Sequence, residues 1–149
     1  MAFPSLTQGK DQIGSIRKIV DDHFFDVIEV PKLPEEIWQD ASEVFRGKQV
    51  IRGCQIDLLS NMLNLNSPDR QEREKAVNYI KAEVESAGKR QVQALALCSG
   101  MDLGPEKRRE ARKLLVDSLV DICRSASRYD MRIALESFDR DYDKRLLIG

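Results

Sequence analysis

Four short apolar runs alternate with four stretches of helical periodicity, and that order constrains the fold of this chain more than any other feature. Between Lys10 and Asp22, Ile13, Ile16, Ile19 and Val20 recur at helical spacing, and FFDVIEV (24–30) follows as a β-branched and aromatic run. Pro31 and Pro34 break the chain; Ile37, Trp38, Ala41, Val44 and Phe45 then mark the next helix face, with Gly47 as its stop. KQVIRGCQID (48–57) reads as the second strand, interrupted by Gly53. Ser67 and Pro68 suit an N-cap and first turn, opening a helix whose stripe is Ala76, Val77, Ile80, Val84 and Ala87 and whose end falls near Gly88. VQALALC (92–98) is the third strand. Pro105 starts a helix that keeps Ala111, Leu115, Leu119, Ile122 and Ala126 on one face as far as Tyr129, and MRIALES (131–137) is the last strand.

The alternation α-β-α-β-α-β-α-β implies an α/β fold with a parallel sheet wrapped by helices. Two architectures compete. A length of 149 residues suits an open doubly wound sheet, whereas a complete (β/α)8 barrel takes about 250 residues and rarely fewer than about 200. The element order favours the barrel, because the chain begins with a helix and the polar residues gather in the loops after the strands. No strand is followed by a glycine-rich phosphate fingerprint. The segment from Gly9 to Gly14 precedes a helix but follows no strand and lacks the lysine and hydroxyl of a phosphate loop.

Charge and cysteine usage narrow the partners. With 24 basic residues against 25 acidic ones, the net charge of −1 provides no positive field for a phosphate backbone, so no nucleic-acid partner is expected. Cys54, Cys98 and Cys123 lie far apart without CxxC spacing; Cys54 and Cys98 fall inside expected strands as small apolar residues, which suits a reducing compartment. MAFPSLTQGK lacks a basic and an apolar signal region, and no apolar run approaches the roughly 18 residues of a membrane span. The expected location is the cytoplasm, with no membrane partner.

In the last strand Ile133 and Leu135 share one side while Ala134 and Glu136 share the other, so one carboxylate is delivered to the strand end. A similar Glu, Glu29, stands near the end of VIEV. Together with Ser99 and Gly100 in LCSGMDLGPEKR, and with Leu135, Glu136, Asp139 and Arg140 in IALESFDRDYDKRLLIG, these segments resemble the sugar phosphate isomerase/epimerase family with the xylose-isomerase-like barrel, a broad group that includes endonuclease-IV-like proteins. The resemblance covers nearly the whole chain.

It implies a partial (β/α)8 TIM barrel, about strands 2–5 with their helices: FFDVIEV second, KQVIRGCQID third, VQALALC fourth and the Glu136 strand fifth. Family members hold a divalent metal (Mn, Mg or Co) with a fifth-strand Glu and an Asp, a His and a second Glu from later strands, and pass a proton across an enediolate. By resemblance Glu136 is the first metal ligand and a catalytic residue, Glu29, Ser99 and Gly100 face substrate, and Asp139 and Arg140 shape the site mouth. The substrate implied is a small sugar or sugar phosphate. The family's remaining ligands have no counterparts before Gly149, residues 89–91 depart from the usual turn before a strand, and Asp141 and Tyr142 stand where some relatives have a second Glu. The expectation is therefore a single incomplete barrel domain over 1–149, inactive alone, which self-associates through exposed strand edges or pairs with a missing C-terminal half.

Plainer readings stand beside these. Glu136 is also an ordinary strand-end charge, Glu29 an acceptor for loop amides, and Ser99 with Gly100 a plain turn. His23, the single histidine, lies at a helix-to-strand junction on the opposite rim. EKRREARK (106–113) interleaves both signs and reads as a solvated helix face with i,i+4 pairs. Two other functions remain: a self-sufficient α/β module that binds a small molecule or protein without turnover, and an endonuclease-IV-like phosphodiesterase, which the balanced charge disfavours.

Overall fold

The computed structural model describes residues 11–45 and 47–149, without the side chains of residues 40–42; Gly9, the expected helix start at Lys10 and the Ala41 side chain lie outside the described residues. Helix α1 is Gln12–Val20, β1 Val27–Val30, α2 Glu35–Val44, β2 Gln49–Gly53, α3 Gln55–Ser60, α4 Arg70–Lys89, β3 Ala94–Cys98, α5 Arg108–Ala126 and β4 Arg132–Glu136, with a 3-10 turn at Ser127–Tyr129. All four strands are parallel and lie in chain order, β1-β2-β3-β4. A doubly wound sheet would reverse its order at a switch point. The unreversed order and the helices between strands are those of a partial (β/α)8 barrel.

Register assigns the two faces. Glu29 pairs with Ile51, Ile51 with Ala94, Gly53 with Ala96, and Cys98 with Glu136. Val27, Glu29, Ile51, Gly53, Ala96, Cys98, Ala134 and Glu136 therefore share the face away from the helices. Ile28, Val30, Val50, Leu95 and Leu97 point the other way and are buried. Against them pack Ala76, Val77, Ile80, Val84 and Ala87 of α4 and Ala111, Leu115, Ile122 and Ala126 of α5, in the expected stripes. Burying each larger side chain contributes about 1.5–3 kcal/mol.

Several expected boundaries move. β1 begins at Val27 rather than Phe24, and the second strand stops at Gly53 rather than Asp57. Cys54, expected inside that strand, precedes α3, and its N–H donates to Ala96 O at 2.8 Å. The cap of α4 is Asp69, whose carboxylate accepts from Gln71 N and Glu72 N; the Ser67 hydroxyl accepts from Asp69 N instead. Pro105 sits in a turn before α5, which starts at Arg108. The i,i+4 pairs expected in 106–113 do not form among the described residues. Arg108 turns back to Asp102, and such pairs occur on α4 as Arg70–Glu74 and Lys89–Glu85.

Candidate functional site

β1 and β4 are the two edges of the described sheet, and each carries a carboxylate on the helix-free face, Glu29 next to the end of β1 and Glu136 at the end of β4. Gln55 joins them. Its Nε2 donates to Glu136 Oε2 at 2.6 Å and to Glu29 Oε1 at 3.3 Å, spanning the sheet from edge to edge. Both carboxylates are exposed, whereas Gln55 is only 6% exposed. Glu29 Oε2 and Glu136 Oε1 carry no hydrogen bond among the described residues, so each carboxylate keeps one oxygen for a ligand.

Local sequence builds this arrangement. The chain leaves β2 at Gly53, where a Cβ would collide with Glu29 Oε1, so the missing side chain is the space that the carboxylate fills. Cys54 is then anchored to β3, and Gln55, the first residue of α3, enters the mouth of the sheet. Burial pushes the Cys98 thiol up to about 11, with the neighbouring Glu136 charge acting in the same direction. Burial likewise pushes the Cys54 thiol up to about 12. Neither thiol is a nucleophile at neutral pH.

Ser99, Gly100, Asp139 and Arg140 form a second group beside the carboxylates. Ser99 Oγ accepts from Ile148 N at 3.0 Å, Gly100 O accepts from Leu147 N at 2.9 Å, and Gly100 N donates to the buried Asn66 Oδ1 at 2.6 Å. Arg140 donates to the carbonyls of Leu147 and Gly149. The Asp139 carboxylate accepts from Lys144 N and Tyr142 N, and these amides hold it below the usual carboxylate range. Ser99 and Gly100 thus hold the segment after β4 against the loop that follows β3, while Asp139 and Arg140 bond within the segment, and Leu146 and Leu147 are buried. The structure brings Glu29 and Glu136 together and gives Ser99, Gly100, Asp139 and Arg140 backbone partners. Gln55 and Gly53 are the site residues that the sequence reading missed.

Among the described residues no group of three or more His, Cys, Asp or Glu side chains is placed to hold a metal. The donor set is two carboxylates and an amide. Hard oxygen ligands of this kind suit Mg or Mn, which are often held by one or two carboxylates with water completing the shell. His23 is exposed between α1 and β1, away from these residues. A cavity of about 250 Å³ opens elsewhere, lined by Lys32, Trp38, Arg52, Glu83 and Arg90. Its charges are mutually paired, Lys32 and Arg52 with Glu83 and Arg90 with Glu35, so it lacks the free donors found at the sheet mouth. No described helix is long and apolar enough to cross a membrane.

Known proteins share this architecture. A D-tagatose 3-epimerase-like protein superposes with a TM-score of 0.67 at 18% identity, over 89% of this chain and 51% of that one. The D-psicose 3-epimerase of Clostridium cellulolyticum H10, solved with D-tagatose, gives 0.67 at 18% identity over 93% of this chain and 50% of its own. The IolI protein, solved with a zinc atom, gives 0.64 at 20% identity over 83% and 45%. The chain thus spans about half the length of the structures it matches. No protein of curated function matches it. Residues 19–145, which contain every candidate site residue, match the sequence family described as the xylose isomerase-like TIM barrel. The chain belongs to the xylose isomerase-like TIM barrel family.

Proposed function

We propose that this chain supplies part of the site of a sugar isomerase or epimerase that acts by enediolate proton transfer on a small sugar or sugar phosphate. One observation carries the reading: Glu29 and Glu136, from the two edge strands of a half-barrel sheet, meet at one amide with an unused oxygen each. D-Tagatose and zinc in related structures support a polyhydroxylated substrate and a divalent ion. Bound near Glu136, an Mn, Mg or Co ion would polarise a ketose carbonyl and its neighbouring hydroxyl. A carboxylate beside it takes the proton from the carbon next to the carbonyl. Handing it on to the former carbonyl carbon isomerises the sugar, whereas epimerisation takes a second acid group that delivers a proton to the opposite face, a group the rest of the assembled site would supply. Glu136 serves as ligand and acid-base group, and Glu29 orients hydroxyls. The balanced charge argues against a phosphodiester substrate of the endonuclease-IV type.

Completing the site needs more donors than these carboxylates, so turnover is assigned to an assembly: two copies meeting at strand edges, or this chain with a C-terminal half-barrel. Val27 and Leu135 lie on β1 and β4 and are 43% and 36% exposed, as edges awaiting a neighbour would be. Three unpaired cysteines suit the cytoplasm.

The hydrogen bonds of Ser99, Gly100, Asp139 and Arg140 favour a second reading, a module that binds without turnover. Measuring the mass in solution during Mn²⁺ titration of wild type and Glu136→Ala separates the two. A dimer that binds Mn²⁺, loses it in Glu136→Ala and epimerises a ketohexose supports the enzyme. A monomer that binds none leaves the module.

A further inference from the structure

The geometry points to Gln55 as a positioning residue that holds Glu29 and Glu136 as one ligand-binding pair; the inference rests on the carboxylate site proposed above. The two carboxylates come from opposite edges of the sheet, and strands that far apart do not by themselves fix the relative orientation of their side chains. A carboxamide is suited to do so, because one NH2 group carries two protons and can satisfy one oxygen on each side. Gln55 does this from a buried position at the start of α3, whose first amide-bearing neighbour, Cys54, is tied to β3.

The absence of a side chain at Gly53 is the second half of the device. A Cβ there would meet both Glu29 Oε1 and Gln55 Oε1, so glycine lets the carboxylate and the carboxamide lie side by side over β2. Fixing one oxygen of each carboxylate leaves Glu29 Oε2 and Glu136 Oε1 to the ligand. An amide is also the right chemistry for the task. A lysine there would cancel one of the two negative charges, whereas glutamine orients the pair and leaves both for a cation or a set of sugar hydroxyls.

The test uses the full chain and Mn²⁺ alone as probe, with affinities from electron paramagnetic resonance for wild type, Gln55→Met, Glu29→Gln and the double variant. Gln55→Met should weaken Mn²⁺ binding about tenfold or more. Glu29 is not the metal ligand but its charge lies beside the ion, so Glu29→Gln should cost a smaller part of the affinity. That loss should largely disappear in the Gln55→Met background, since without the clamp Glu29 is no longer held to the site. Losses that add in full overturn the inference. The side-chain amide resonances of Gln55 give a second readout that leaves Gln55 intact: they should shift in Glu29→Gln and again in Glu136→Gln. Resonances unmoved in both variants overturn the inference too. If the wild-type chain binds no Mn²⁺, the metal-site reading fails and the Gln55 resonances alone decide whether the pair is positioned.

Discussion

The carboxylate of Glu29 occupies the space in which a side chain on Gly53 would stand. Alanine at 53 should therefore disturb the site more than the fold. The atoms in the way are the far ends of two flexible side chains, Glu29 and Gln55, which can swing aside. Replacing glycine also reduces unfolded-state freedom, a gain of about 0.4–1 kcal/mol that offsets the shift. Gly53→Ala is expected to keep or slightly raise the urea midpoint while displacing the Gln55 side-chain amide resonances. A large loss of stability with unmoved resonances would contradict this assignment.

Beneath the helix-facing side of β2 lies a buried charge network whose loss should be costly. Arg52 is 4% and Glu83 6% exposed. They pair at 3.0 Å, Arg52 also contacts Asp57, and Lys32 reaches Glu83 at 2.6 Å from a more exposed position. Removing Arg52 leaves the buried Glu83 with Lys32 as its remaining cation and Asp57 without its partner, a loss of up to about 3–5 kcal/mol by the measure of buried pairs, whereas replacing both members of such a pair with apolar groups is often neutral. Arg52→Met alone should lower unfolding free energy by up to that amount. The double variant Arg52→Met/Glu83→Leu should recover much of it, which chemical denaturation would read directly.

The long helices were legible because their burial is periodic: Ala76 to Ala87 and Ala111 to Ala126 repeat at helical spacing and are the residues that pack on the sheet, while a strand such as β3, buried throughout, was legible as a short apolar run. Helix α3 was hidden because the apolar-polar pattern of QVIRG continues through CQIDLL, and Gly53 alone marks the change. Glu29 and Glu136 were visible as strand-end carboxylates, but their meeting depends on a residue 81 positions from Glu136. No local pattern distinguishes the glutamine that clamps them from one facing water. The Asp69 cap and the Asp102 partner of Arg108 escaped notice for a similar reason: adjacent polar residues compete for one role, and geometry chooses.

Asp102 should give the fold a measurable acid dependence. Arg108 donates to it from Nε and a terminal nitrogen, the latter at 2.7 Å, and these hydrogen bonds hold its carboxyl below the usual range. A depressed folded value means that the stabilisation is fully present above the ordinary unfolded carboxylate value of about 3.9 and is lost as pH falls through the folded value. Asp102→Asn should therefore lower the urea midpoint at pH 7. The gap from wild type should close in acid below the folded value. A gap that stayed constant across that range would assign the effect to packing rather than ionisation.

The three thiols should separate sharply in reactivity. Cys54 and Cys98 are fully buried, with burial raising them to about 12 and about 11, while Cys123 is exposed on α5. Thiolates are the reacting species, so at pH 8 the native chain should titrate one fast thiol with a disulfide reagent and all three only in denaturant. Cys123→Ser should remove the fast phase. A fast phase that survives would show that the sheet mouth opens readily enough to expose Cys98.

Ser99 offers a test between holding substrate and holding the chain. Its hydroxyl accepts from Ile148 N at 3.0 Å, next to the fully buried Leu147, whose own N–H donates to Gly100 O. Ser99→Ala leaves that amide without its partner, a loss of about 1 kcal/mol for a partly shielded group. Leu147→Ala empties a buried site and should cost about 2–5 kcal/mol. Hydrogen exchange at Ile148 N should quicken in both variants, because both loosen the same fold-back against the loop after β3. If Ser99→Ala instead left exchange and stability unchanged but weakened binding of a ketohexose, the hydroxyl would belong to the ligand, and the segment after β4 would be held by Leu147 and Gly100 alone.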